Sequence, residues 1–308
     1  MATTLGEVLD ELRNDNSLAS SYERGDIDDL HKSLDEQIVN IIDAVDLPEE
    51  ILPIRIPKSR ITAVLACPRK AVEELGGDID PFNSLRGAVA DVTAVVAAMS
   101  PSKPLDLDEI MQGVAMIDAE SDGVELWRSA NRERRAELRE YLVPLVERFQ
   151  QSCSGVDARW VVRPQFTAQA SFAGGRVVST ARFDMLLSQP NRSETSVIVE
   201  VKAGKSHSDH RADAFLYALL ETLRTAVSPL AVVAAGTDEI PLQVERVTGG
   251  VLEAAARRLL AATAVVVDLA ANPTEDPEEK PGRHCAICRV RKQCGSALVG
   301  PLKSSEEP

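Results

Sequence analysis

Apolar residues recur at helical spacing through the first half of the chain and switch, near Ala158, to alternation. Over residues 34–45, Ile38, Ile41, Ile42 and Val45 fall on one stripe of a helix, and a second acidic helical segment precedes it within the first 46 residues. Pro48, Pro53 and Pro57 then read as a linker. The segment SRITAVLACPRKAVEEL from Ser59 predicts a short helix. A long helical region follows from about Ser84 to Gln151, broken near Pro101 and Pro104. Beyond Ala158 the runs WVVRPQFTAQASF, RVVSTARFDMLLS and TSVIVEVKA predict three strands, separated by Gly174-Gly175 and by a polar turn from Pro190 to Glu194. A helix from Asp209 to Ala226 presents Phe215, Leu216, Leu219, Leu220 and Leu223 as its apolar face. Two further strands, PLAVVAA and LQVERV, precede an Ala-rich helix at about Val251 to Ala271. No internal repeat is visible. This order predicts an α/β fold, a mixed sheet flanked by helices with an N-terminal helical extension.

The chain has 308 residues, room for one large domain or two small ones, and its 44% hydrophobic and 27% charged residues exclude wholesale disorder and collagenous repeats. Aromatics are only 4%, so the core must be aliphatic. The net charge of −14 argues at first sight against a polyanionic partner, but residues 1–50 hold 14 acids and three bases. They account for −11 of the total and leave the other 258 residues nearly neutral. The predicted division is therefore an acidic helical extension at 1–50 and one domain at 51–308. The start, MATTLGEVLDELRND, has acids where a signal peptide has a basic and then an apolar region. The apolar stretch from Ala261 to Ala271 contains Asp268 and is too short for a bilayer span, so a cytoplasmic protein without membrane contact is expected. Five cysteines without an export signal point to metal or thiol chemistry rather than disulfides.

Two constellations carry chemistry. Asp184 lies in ARFDMLL, Glu200 and Lys202 in VIVEVKAG; alternation puts Glu200 and Lys202 on one face of their strand, and pairing of the two runs brings Asp184 beside Glu200. Carboxylates at the end of an apolar strand are costly to bury unless a cation sits between them, and hard oxygen ligands suit Mg²⁺ or Mn²⁺. Lys202 would then orient water and stabilise charge on a phosphate. The same residues also allow a structural ion pair of Asp184 with Lys202. The second constellation is HCAICRVRKQC, with Cys285, Cys288 and Cys294, and Cys67 far upstream in LACPRK. Three clustered cysteines need a fourth ligand for either tetrahedral zinc or a cubane iron–sulfur cluster, and zinc can use His284 or Cys67. Cys153 is left over and reads as a buried thiol.

Together and in this order, the two constellations resemble the RecB-like branch of the PD-(D/E)XK nucleases that carries a four-cysteine iron–sulfur cluster, which includes CRISPR-associated exonucleases and the nuclease domain of the AddB helicase–nuclease subunit. The resemblance covers about Ser59 to Cys294, most specifically Cys67-Pro68-Arg69 with the cysteine triplet. It implies a restriction-endonuclease-like core, and Cys67, Cys285, Cys288 and Cys294 as ligands of a 4Fe-4S cluster, with zinc the alternative. Asp184, Glu200 and the Val201 carbonyl would hold Mg²⁺ or Mn²⁺, Lys202 would be catalytic, and Tyr217 would contact DNA or the reacting phosphate. The implied activity is a DNA exonuclease, a phosphodiesterase acting on single strands or ends in DNA repair, recombination or antiviral defence.

Three positions depart from the family pattern. Asp91, four residues after Gly87, stands where a metal-binding histidine is usual and can still ligate a hard cation. Asp213 replaces a glutamine and cannot donate as an amide does. Ala181 replaces a glycine. These departures allow a second reading, a catalytically weak DNA-binding or scaffolding subunit. His207 and His210 flank the helix start at Asp209. Arg283, Arg289, Arg291 and Lys292, with Arg69, Lys70, Arg132, Arg134 and Arg135, are candidate phosphate contacts. The acidic extension would cap the domain, cover a basic channel or dock a protein partner.

Overall fold

The computed structural model describes residues 4–14, 24–73, 81–100, 103–117, 119–190, 192–203, 208–236, 242–282, 284–285 and 288–297, with the side chains at 81, 192–194, 208–210 and 289 excepted. Helix α1 (Leu5–Asn14) opens on a reciprocal cap: the Thr4 N–H donates to the Glu7 carboxylate at 3.1 Å and the Glu7 N–H to the Thr4 hydroxyl at 3.3 Å. Its apolar face, Leu5, Val8, Leu9 and Leu12, is buried. A Cβ on Gly6 would lie 2.0 Å from the Gly155 carbonyl oxygen, so only glycine allows this backbone-to-backbone approach. Helix α2 (Arg24–Asp43) buries Ile27, Leu34, Ile38 and Ile42.

The expected linker contains a strand, β1 (Ile54–Pro57), in which Ile54 and Ile56 are buried. Its IRIP pattern is too short and too proline-flanked to be read as a strand locally; Pro57 stands at its end, where a missing N–H is tolerated. The predicted helix at 59–75 is two: α3 (Lys58–Ala66) and α4 (Pro68–Glu73). Pro68 disfavours helical backbone at the preceding residue, and Cys67 is extended at φ −164°, ψ 113°. The long helical region is α5 (Pro81–Met99), α6 (Leu107–Ile117), α7 (Asp122–Ser129) and α8 (Arg132–Ser152). Beyond the prolines, side-chain caps make the further breaks. Ser121 accepts the Val124 N–H at 3.3 Å to start α7, and Asn131 accepts the Arg134 N–H at 2.8 Å to start α8.

Then come β2 (Val161–Phe172), β3 (Val177–Gln189), β4 (Arg192–Val201), α9 (Ser208–Thr225), β5 (Ala231–Ala235), β6 (Leu242–Arg246) and α10 (Gly249–Ala271), close to the predicted elements. The fold is α/β. Among the described residues, six strands form one mixed sheet of order β1-β3-β4-β5-β6, with β2 paired to β3. Strands β1 and β3 are parallel, β3 and β4 antiparallel, β4 and β5 parallel, β5 and β6 antiparallel. Among the described residues no helix is long and apolar enough to cross a membrane.

The chain forms two compact units. The first comprises Met1–Ile27, Asp78–Ala168 and Arg182–Leu252, the second Asp28–Gly77, Gln169–Ala181 and Glu253–Pro308. In the first, Leu85, Val89, Leu142 and Phe149 join Met185, Val197, Val199 and Val233 of the sheet in one aliphatic core. In the second, β1 runs beside the first residues of β3, from Ile54 opposite Val177 to Pro57 opposite Thr180. There the acids of α2 serve structure: Asp35 accepts the Ala173 N–H at 2.6 Å, and Asp43 pairs with Arg176 at 2.7 Å.

Candidate active site

Strand β4 is central in the first unit, and Val197, Ile198 and Val199 are wholly buried. This apolar run carries Glu200 into the interior, where it is 6% exposed. Its Oε1 accepts a hydrogen bond from the Lys202 ammonium and another, at 3.0 Å, from the Tyr217 hydroxyl of α9. The Lys202 N–H donates to the Ala235 carbonyl at 2.7 Å, which fixes the backbone just past the strand end. Register places Met185 opposite Val199, so Asp184 comes beside Glu200, as the sequence predicts. Asp184 Oδ2 accepts the Val201 N–H at 2.6 Å, and its Oδ1 stands 3.5 Å from the Gln165 amide nitrogen. Lys202 therefore pairs with Glu200, and the alternative ion pair with Asp184 is not the one formed.

Asp91, on α5, belongs to the same electrostatic cluster. Burial, and then the Glu200 charge, push its carboxyl up to about 7, against the opposing pull of Lys202 and Arg182. Asp184 is held well above the usual carboxylate range by burial first, then by Asp91 and Glu200, against the Val201 N–H and Lys202. Burial pulls the Lys202 ammonium down, but Glu200, Asp184 and Asp213 more than offset it and keep the lysine charged. The Tyr217 phenol is raised by its burial and by Glu200, so it remains a neutral donor. More carboxyls are thus gathered here than one Lys202 can hold ionised, so Asp91 and Asp184 are pushed towards their protonated forms.

Some participants had no signal in sequence, and one was read only as a departure from a pattern. Gln165 adopts a left-handed φ of 49°, rare for a residue with a side chain, at the point where its amide meets Asp184. Asp213, noted only as a departure, is buried and acts on both Lys202 and Tyr217. Phe183 packs 5.6 Å from Tyr217 and 5.6 Å from Phe166, and Arg224 lies 5.0 Å over Phe166 while holding buried Glu221 at 2.7 Å. In a chain so poor in aromatics, Phe183 and, behind it, Phe166 form the aromatic packing against Tyr217. Gly204, His207 and the His210 side chain lie outside the described residues.

In the second unit, Cys67, Cys285, Cys288 and Cys294 line one cavity, although Cys67 is more than two hundred residues from the others. Cys67 and Cys285 are buried, and Cys288 and Cys294 are half-buried. The Lys280 N–H points at Cys67 Sγ from 3.5 Å and the Gly282 N–H at Cys285 Sγ from 3.4 Å. Such amide donors, with Arg69, Lys70, Lys280 and Arg291 around the cavity, suit negatively charged thiolates. His284 also lines it, but its Nε2 is 2.9 Å from the Lys280 carbonyl. Cys153 is buried in the first unit, its thiol pushed up to about 12 by burial. Among the described residues no three His, Cys, Asp or Glu side chains form a ready-made metal site.

Some expected phosphate contacts are engaged within the protein. Arg69 pairs with Glu279 at 2.6 Å and Arg134 with Glu137 at 2.7 Å. Arg135 donates to the Trp127 carbonyl at 3.0 Å and stacks on its ring. Arg283 and the Arg289 side chain lie outside the described residues.

No family model matches the chain, and no curated protein matches it. Among solved structures it is similar to SSO0001, with 11% identity over 87% of this chain and 96% of that one, at a TM-score of 0.36. It is also similar to a "Putative exonuclease" from Eubacterium rectale, with 12% identity over 80% of this chain and 90% of that one, at a TM-score of 0.47. At these scores the chemistry has to be read from this chain's own residues.

Proposed function

We propose that this chain is a metal-dependent DNA nuclease of the PD-(D/E)XK type, acting on single strands or ends. The carrying observation is the excess of mutually repelling carboxylates, Asp91, Asp184 and Glu200, around one ammonium, where the middle of β3 meets the end of β4. Buried charge of this kind is stabilised by a divalent cation, and an all-oxygen donor set selects Mg²⁺ or Mn²⁺. Asp91, Asp184, Glu200 and the Val201 carbonyl would hold it. When bound, the ion supplies Lewis-acid polarisation of the phosphodiester and a more acidic water. The chain does the rest: Lys202 directs its N–H groups at the reacting oxygens, while Tyr217 keeps Glu200 oriented through a bond that its own raised proton affinity preserves. Water oxygen joins phosphorus while one of its protons passes to bulk water, the bond to the departing sugar oxygen breaks, and that oxygen takes a proton from bulk water.

In the second unit, Cys67, Cys285, Cys288 and Cys294 would bind a 4Fe-4S cluster, or zinc. The group would tie α4 to the C-terminal segment, which the Arg69–Glu279 pair already joins.

The test is degradation of labelled single- and double-stranded DNA with Mn²⁺ by the wild type and by Lys202→Ala, both purified anaerobically. The expected result is cleavage that the substitution abolishes. Buried Asp213, a fourth carboxylate beside Lys202, favours a second reading, a DNA-binding subunit with little activity. DNA binding without cleavage by folded, metal-loaded wild type would select it. A brown, iron-containing protein identifies the cluster, and a colourless zinc-containing one the alternative.

A further inference from the structure

Catalysis on a phosphodiester poses a problem for this site. The substrate is an anion, and it must approach Asp91, Asp184 and Glu200, with Asp213 a further carboxyl acting on the same lysine. Two cations of the described residues act on Asp91, namely Lys202 and Arg182. Lys202 is hydrogen-bonded to Glu200. Arg182 is not committed in this way: among the described residues nothing stands within hydrogen-bond or ion-pair distance of its guanidinium.

Its placement follows from the strand. Through this part of β3 burial alternates, with Ala181, Phe183 and Met185 buried, Arg182 exposed and Asp184 half-buried between them. Residues two apart on a strand leave the sheet on the same side, so Arg182 emerges beside Asp184. Three buried neighbours hold the backbone beneath it, and the residue is exposed to solvent two positions from Asp184. An exposed, unpaired arginine on ordinary surface needs no account; this one stands on the strand that carries Asp184 and within electrostatic range of Asp91.

We propose that Arg182 is the substrate phosphate-binding residue of the site, its guanidinium taking the non-bridging oxygens of the backbone phosphate at or next to the bond that is cut. This rests on the nuclease reading above. A guanidinium suits the task because its planar fork meets two phosphate oxygens at once and its charge is permanent. Such a contact reads the backbone and no base, which predicts little sequence preference. It also compensates for Asp213, whose carboxylate supplies no donor to the phosphate.

The experiment compares full-length wild type, Arg182→Ala and Arg182→Lys. Cleavage kinetics are measured with Mn²⁺, and binding of a fluorescent single-stranded oligonucleotide is measured by anisotropy with Ca²⁺ in place of Mn²⁺ across a salt series. Arg182→Ala is expected to raise KM and Kd about tenfold, as loss of one charge-assisted contact does, with kcat changed less. It should also flatten the salt dependence by about one phosphate contact. Arg182→Lys should restore the salt slope and part of the affinity, and the melting temperature should stay at the wild-type value in both. Unchanged KM, Kd and salt slope in Arg182→Ala would overturn the assignment while leaving the nuclease reading in place. A wild type that neither binds nor cuts nucleic acid would overturn both. Melting temperatures that fall in parallel with affinity, without rescue by lysine, would make Arg182 a structural residue and also overturn it.

Discussion

The two candidate centres bury different chemistry by opposite means. In the first unit, strands β3 and β4 and helices α5 and α9 bring carboxyls together in a largely water-excluded interior, and one lysine pairs with only one of them. In the second, four thiols line a cavity with backbone amides aimed at two sulfurs and basic side chains around them. A neutral thiol is cheap to bury, whereas a carboxylate is costly unless paired. The first centre is therefore where pH and divalent cations should act on the protein, and the second is where a soft metal would add stability without relieving any repulsion.

The largest expected effect separates the centres by activity. Lys202→Ala should lower cleavage by about 10³-fold, the scale of losing one preorganised charge-stabilising donor, while the metal or iron content of the thiol cavity stays at the wild-type value. Loss of that metal together with activity would mean that the centres are not independent. The converse substitution, Cys288→Ser, should empty the cavity of metal and cost on the order of 3 kcal/mol, a fraction of the ~10 kcal/mol that a structural thiolate metal supplies. Metal analysis and thermal melts test this, with Cys153→Ser as the control. Because its thiol is held at about 12, Cys153 should also resist alkylation in the folded chain at pH 8.

A third prediction concerns pH. Asp91 titrates at about 7 in the folded chain against an ordinary 3.8, so the folded state binds more protons than the unfolded one between those values. Stability of metal-free protein should be greatest in acid with respect to this group, fall as pH rises from 3.8 to about 7, and stay low above that. Asp91→Asn should flatten the slope and melt higher than wild type at pH 8, and Mn²⁺ should stabilise wild type more at pH 8 than at pH 5. An identical slope in the variant would assign the dependence to Asp184. The smallest effect sharpens the geometry: Gln165→Gly should relieve the left-handed backbone by about 1 kcal/mol while removing the amide from Asp184. A slightly higher melting temperature with a few-fold slower cleavage is expected; equal activity would leave Gln165 with a purely conformational role.

Legibility differed from region to region for physical reasons. Helix α10, strand β4 and the apolar face of α9 are long periodic segments whose burial is local in sequence, and they stand near the predicted positions. Strand β1 was hidden because four residues between prolines form a strand only when β3 lies alongside. The break at Cys67 is written in the following proline, but a continuous apolar pattern masked it. Asp184, Glu200 and Lys202 were readable because they sit at the edges of apolar runs, whereas Tyr217, in the middle of α9, was named only through the family resemblance. Gln165, Phe166 and Phe183 were not, since their roles depend on a backbone turn and on ring contacts across strands.

The sequence by itself determined the α/β order of elements, the concentration of acid in the first 50 residues, and the two sets of chemically able side chains. Those are properties of periodicity and composition, which neighbours along the chain express without help. Tertiary structure alone decided which carboxylate takes the lysine, and it brought Asp91 and Asp213 to act on that cluster and Cys67 into one cavity with a triplet over two hundred residues away, groupings for which the sequence offered only a resemblance. It also gave the acidic segment a structural use, with α1 packed by its apolar face and the acids of α2 holding the turn into β3. Pairing and proton affinity depend on distance and on exclusion of water, and only the folded chain supplies either.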